Sequence, residues 1–263
     1  MARSFGTNDG DGRHQMIDHM KQSAVFAALI LFGTSCSAQF PKSLKDAADK
    51  VTGTGGTTGL TNADVVAGLK EALDKGTNKA VGLASVTDGF WKNDRLRIPF
   101  PPEAEKMKTT LNSLGMSSQV EEFELTMNRA AEAAAKEAAP VFLNAIKSMS
   151  VADGFAILKG GDHAATEYLK DKTTAELIEK FRPIVEKATK QVALTSYWTQ
   201  LASAYNKTSM FTGGKAVDPD LDAYVTQKAI DGLFVLVADE EQQIRKDPLA
   251  RTTDLLKRVF GGN

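Results

Sequence analysis

The sequence predicts an all-α fold: a compact multi-helix domain of about eight to ten helices with one long irregular segment at about 86–102. Three observations carry this reading. From Thr61 onward, apolar residues recur every three or four positions almost without interruption. No run alternates in the way a half-buried strand requires. Cap residues and glycine or proline stops recur at helix-length spacing.

The elements follow in order. Thr61 or Asn62 can cap a helix whose stripe is Val65, Val66, Leu69, Leu73 and Val81, weakened by Gly68, Gly76 and Gly82. From Val86 to Pro102 the helical period is lost, and Ile98-Pro99-Phe100-Pro101-Pro102 reads as extended. Pro102 opens a helix that stops at Gly115. Ser117 or Ser118 starts a longer one through Ala139, with Val120, Phe123, Met127, Ala131, Ala134 and Ala138 on one stripe. Pro140 kinks it or begins a new helix to Met149. Ser150-Val151-Ala152-Asp153 has the spacing of a capping box for a short helix ending at Gly160. Asp162 can cap the next helix, and Thr173-Thr174-Ala175-Glu176 reads as the capping box of another, with a bend at Pro183. Val192 to Asn206 continues as helix. Asp218-Pro219 opens the strongest one, to about Lys246, and a short amphipathic helix near Asp254 to Phe260 closes the chain.

Composition bounds the function. The 263 residues carry 32 basic and 33 acidic side chains, 42% hydrophobic residues and one cysteine. The apolar share can build a core, and the charge balance argues against nucleic acid as a partner. A single cysteine excludes an intrachain disulfide framework and a cysteine-based zinc site. At Met20 the text changes character: Lys21, then apolar residues from Ala24 to Phe32, then Gly33-Thr34-Ser35-Cys36. A cationic start, a short apolar stretch and small residues form a secretory signal, with Met20 as an alternative start. The small residues before Cys36 are similar to a bacterial lipobox, although Gly33 stands where leucine is usual. The expectation is therefore a signal region at 1–36, lipidation of Cys36 and a periplasmic, membrane-anchored protein. The alternative is cleavage after Ala38 and a soluble periplasmic protein. Residues 37–60, which include Thr52-Gly53-Thr54-Gly55-Gly56-Thr57-Thr58-Gly59, read as a flexible tether to a single domain at 61–263.

Beyond residue 36 the only histidine is His163. No multi-histidine metal site, nucleophile elbow, phosphate loop or Gly-x-Gly-x-x-Gly is available within the chain, and no cofactor is implied. Carboxylate chemistry, a carboxylate-bound hard cation or binding without catalysis remain. Three segments hold the candidates. Glu124, Asn128, Glu132 and Lys136 stand in a row at four-residue spacing, with Arg129 next to Asn128, and the segment is read either as a solvated helix face or as ligand contacts. Gly160, Gly161, Asp162 and Thr166 surround a helix start whose free amides can hold an anion, or form a plain helix corner. Thr226, Gln227 and Asp231 lie on a helix that is apolar on nearly every side after Ala229. Asp231 is then expected to be buried with a cation, Lys228 or Arg129.

These segments, with Arg97-Ile98-Pro99-Phe100-Pro101-Pro102, resemble the bacterial family known as domain of unknown function 4197. The likeness runs from about Thr61 to Gly261. It includes Asn-Ala-Asp-x-x-x-Gly-Leu-Lys-Glu-Ala-Leu at 62–73, Met-Asn-Arg-Ala-Ala-Glu-Ala-Ala at 127–134, Gly-Gly-Asp-x-Ala-Ala-Thr at 160–166 and Tyr-Val-Thr-Gln-Lys-Ala-x-Asp-Gly-Leu-Phe at 224–234. His163 departs from the pattern, where the family commonly has a second aspartate. The resemblance implies an exported helical protein and brings no activity with it.

Two function classes follow. One is a non-enzymatic binding or accessory domain of the envelope, its partner a small ligand or an envelope protein. The alternative is a carboxylate- or cation-dependent hydrolase using Glu132, Asp162 and Asp231, with Arg129 holding an anion. The hydrolase requires those carboxylates to converge on one cleft.

Overall fold

The computed structural model describes residues 61–246 apart from 213. The signal region, Cys36, the tether and the short helix near Asp254 to Phe260 lie outside the described residues. Within them the chain forms nine α-helices and no strand: α1 (Asn62–Ser85), α2 (Glu105–Ser113), α3 (Ser117–Ala135), α4 (Ala138–Ser148), α5 (Val151–Lys159), α6 (Ala164–Thr189), α7 (Ala193–Ser196), α8 (Trp198–Thr212) and α9 (Leu221–Lys246). A single 3-10 turn, Pro102–Ala104, precedes α2.

Local chemistry explains most of these boundaries. At α1, the Thr61 hydroxyl accepts from the Asp64 amide while the Asp64 carboxylate accepts from the Thr61 amide, a complete capping box. Ser150 and Asp153 do the same for α5. Gly115 ends the α2 region with φ 80°, a conformation that costs glycine little. The helix expected from Ser117 to Ala139 stops at Ala135. After Lys136 and Glu137 a new helix begins, and Pro140 falls in its first turn, where a missing N–H breaks no helical bond.

Two expectations fail. Thr173-Thr174 starts no helix, because α6 runs straight through it. The Thr173 and Thr174 hydroxyls donate back to the Leu169 and Lys170 carbonyls. The apolar stripe of Leu169, Leu177, Phe181 and Val185, all fully buried, continues across the polar pair and decides the matter. The stretch from Val192 to Asn206 is two helices, α7 and α8, separated at Tyr197.

Helix α9 is the central element, packed against α1, α3 and α6. Close approach of α1 rests on Gly76, where a methyl group would stand 3.3 Å from Ile244 and 3.4 Å from the Glu240 side chain. The irregular segment belongs to the core. Phe90, Leu96, Ile98 and Phe100 are buried, and Phe100 stacks with Phe123 of α3 and Trp198 of α8 at ring separations of 4.8 and 5.6 Å. Burying these side chains draws non-helical backbone into the interior, so its amides and carbonyls need partners there.

Candidate functional site

The polar row of α3 supplies those partners. Glu124, Asn128 and Glu132 are buried rather than solvated, and four-residue spacing aligns all three along the irregular segment. Asn128, with 0% exposure, accepts from the Ile98 amide at 2.8 Å and donates to the Ile98 carbonyl at 2.8 Å, as a neighbouring strand would. Glu132 accepts from the amides of Phe90 and Trp91 at 3.1 and 3.2 Å. Glu124 accepts from the Phe100 amide and from Arg97 and Lys108. Burial pushes the Glu124 carboxyl up, but Lys108, Arg97 and the Phe100 amide overcome it and hold the group below its ordinary range. Lys136, the last of the row, is exposed.

Arg129 lies beside this row and joins it to the turn at Asp88. Its guanidinium donates to Glu132 and to Asp88 at 2.6 Å each. These partners, Glu132 first, raise the Arg129 pKa above its usual value. Asp88 holds a left-handed backbone (φ 70°) and also pairs with Lys92 at 2.8 Å.

Helix α9 closes the other side of the segment. The Tyr224 hydroxyl donates to the Pro99 carbonyl at 3.2 Å, and Arg95 grips Asp239 with two hydrogen bonds. Burial, together with the charges of Glu103 and Glu124, pushes the Tyr224 hydroxyl up to about 12, so it remains a donor. Asp231 corrects its expectation: it is exposed, and it accepts from Gln227 one turn earlier rather than from Lys228 or Arg129. Gln227, Lys228 and Asp231 form an outward patch in the first half of α9, which its apolar composition concealed. Thr226 is buried, and its hydroxyl has no hydrogen-bond partner among the described residues.

The Gly160–Thr166 segment stands apart from this assembly. Its free helix-start amides do hold an anion, and the anion is Glu241 of α9. The carboxylate accepts from the amides of Ala165 and Thr166 at 2.9 and 2.8 Å and from the Thr166 hydroxyl at 2.7 Å. Arg245 completes the arrangement, donating to Glu241 and to the Ile157 carbonyl. Asp162 caps nothing: the N-cap position is His163, and both residues, like Gly161, are exposed. His163 meets Gln242 at 3.1 Å.

The structure therefore brings together the row at 124–132, the irregular segment and the 224–232 stretch, and leaves the third segment elsewhere. Glu132 is sealed beneath the Phe90 and Trp91 amides, and Asp231 lies on the outer surface. Asp162 sits at the level of Glu241 and Gln242, about 15 Å further along α9 at 1.5 Å per residue. Among the described residues no group of three or more His, Cys, Asp or Glu could hold a metal ion.

Residues 59–261 match the family model described as "Protein of unknown function (DUF4197)". The chain belongs to this family. Comparison with curated proteins and with solved structures finds no match.

In this DUF4197 domain, sequence reasoning missed a cleft of about 380 Å³ where α6, α7, α8 and the start of α9 meet. Thr189, Ser196, Trp198, Thr199, Asp220 and Asp222 are among its walls. Three wall hydroxyls are already engaged as donors: Thr189 to Asp222, Ser196 to the Ala193 carbonyl and Thr199 to the Pro219 carbonyl. Lys190 is engaged with Glu186, and Arg182 with Asp220. The cleft presents the carboxylates of Asp220 and Asp222 as acceptors, with the Lys190 ammonium on the same wall. Asp218 reads in sequence as the opening of α9, and Asp220 and Asp222 as acids at its positive end, so the cleft had no separate signal. Glu241, the most heavily used carboxylate of the Gly160–Thr166 corner, was equally unmarked, because its partners are 75 and 76 residues away.

Proposed function

We propose that the chain is an exported, lipid-anchored accessory domain of the cell envelope that binds a small polar ligand without transforming it. One observation carries the non-enzymatic reading. The three carboxylates a hydrolase would need are spent or scattered: Glu132 on backbone amides and Arg129, Asp162 and Asp231 singly on the surface. The cleft beside α9 supports the binding reading, since its volume lies in the range of small-molecule sites. Its Asp220 and Asp222 carboxylates favour a ligand bearing N–H or O–H donors. The anchor reading rests on Lys21, the apolar run to Phe32 and the small residues before Cys36.

Native mass spectrometry of the full chain purified from envelopes tests the binding reading. A co-purifying small molecule lost in Asp222→Asn supports it, and one retained unchanged in that variant rules out the cleft. Metabolic labelling with a fatty-acid analogue tests the anchor: label on the wild type and none on Cys36→Ala is expected, and label persisting on the variant overturns it.

A further inference from the structure

The outward face of α8 is unlike the rest of the surface. Between Glu186 and Asp218 there is no acidic residue, although acids make up 33 of the 263 residues. Helix α8 buries Trp198, Ala202 and Ser209, and turns Thr199, Gln200, Ser203, Ala204, Lys207 and Thr208 outward. At its two ends stand large side chains with almost nothing to cover them: Tyr197 is 60% exposed, Met210 84% and Phe211 91%. They are displayed on an ordered frame. The Asn206 side chain both donates to the Val217 carbonyl and accepts from the Val217 amide, at 2.7 Å each, tying the last turns of α8 to the approach of α9. Lys207 and Lys215, on either side of Phe211, are exposed and make no ion pair with any described residue.

We propose that this face lies on a bilayer carrying anionic headgroups, with Met210 and Phe211 entering the acyl boundary and Tyr197 at headgroup depth. The chemistry selects a lipid surface. Exposed Met and Phe side chains gain by leaving water, a face of hydroxyls, an amide and a methyl group suits the headgroup zone, and lysines that pair with no described acid fit negative phosphates. Elsewhere the surface interleaves both signs, and its acids would be repelled. This face supplies an attachment besides the anchor and would set the orientation of the domain on the bilayer. The proposal rests on the envelope reading above.

The test uses the full chain with vesicles of equal parts phosphatidylglycerol and phosphatidylcholine, with and without bromine on the acyl chains. Phe211→Trp adds a reporter at an exposed site. Entry into the bilayer shifts its emission to the blue, and brominated lipid cuts the added emission roughly twofold. Lys207→Glu combined with Lys215→Glu lowers this quenched fraction by about tenfold or more on anionic vesicles. A chain that floats with the vesicles while the added emission stays red and unquenched overturns this proposal alone. A chain that does not float overturns it together with the anchor.

Discussion

Asn128→Asp changes one atom and removes the feature that makes the irregular segment part of the core. In the wild type the side-chain amide donates to the Ile98 and Glu124 carbonyls at 2.8 Å each, while its oxygen accepts from the Ile98 amide. A carboxylate keeps the accepted bond and turns its second oxygen toward two carbonyl oxygens, in a position with 0% exposure. Two buried hydrogen bonds at about 1–1.5 kcal/mol each give a loss of about 2–3 kcal/mol, before any cost of the buried charge. For a domain of roughly 200 residues this lowers Tm by about 4–12 °C. The sign with pH follows from burial, which raises the introduced carboxyl's pKa in the folded state above its unfolded value of about 3.9. Once protonated, the group donates again. The deficit relative to wild type is therefore smallest below about pH 4, grows as pH rises through the raised folded value, and is constant above it. Thermal unfolding followed by circular dichroism at 222 nm, on variant and wild type across this range, measures the difference. Equal melting temperatures at neutral pH, or a deficit that does not shrink in acid, would refute the claim that Asn128 stands in for a missing strand.

Three further outcomes follow from the same geometry. Glu241→Ala leaves Arg245 buried without its anion and exposes the Ala165 and Thr166 amides to an unmet need, a loss of about 3–5 kcal/mol by denaturant titration; replacing both Glu241 and Arg245 by leucine should recover part of it, and equal losses would contradict the pairing. Because Lys108, Arg97 and the Phe100 amide hold the Glu124 carboxyl below its ordinary 4.5, its contribution is complete above that pH and is lost as pH falls through the lower folded value; Glu124→Gln should flatten the acid limb of the stability curve, and an unchanged limb would count against it. Gly232→Ala places a methyl 2.7 Å from the Phe90 ring and should cost about 1–3 kcal/mol, whereas Gly82→Ala meets nothing within 4 Å on an exposed helix position and should stabilise by about 0.5–1 kcal/mol; melting temperatures moving the same way would overturn the assignment of these two faces.

Much of the fold was legible because helix signals are local. The Thr61–Asp64 and Ser150–Asp153 boxes, the stop at Gly115 and the stripe of α3 each involve residues a few positions apart. The Thr173-Thr174 pair was misread because the same hydroxyls that can begin a helix can also bond backward within one, and only the packing of Leu169, Leu177 and Phe181 chooses. The candidate site was legible as residues and opaque as roles. A four-residue spacing says that Glu124, Asn128 and Glu132 share a face, not what that face meets.

By itself the sequence determined an all-α chain, the positions of most helix ends and the family to which residues 59–261 belong. It also set the unusual lack of acids between Glu186 and Asp218. Only the tertiary structure decided that the α3 row turns inward onto backbone 24 to 42 residues away, that Glu241 occupies the amides of α6, that Asp231 faces water, and that a cleft opens beside α9. The physical reason is the same in each case. A polar side chain is satisfied equally well by water, by a ligand or by a distant stretch of its own chain, and which of these it meets depends on where packing of the apolar faces brings that stretch to rest.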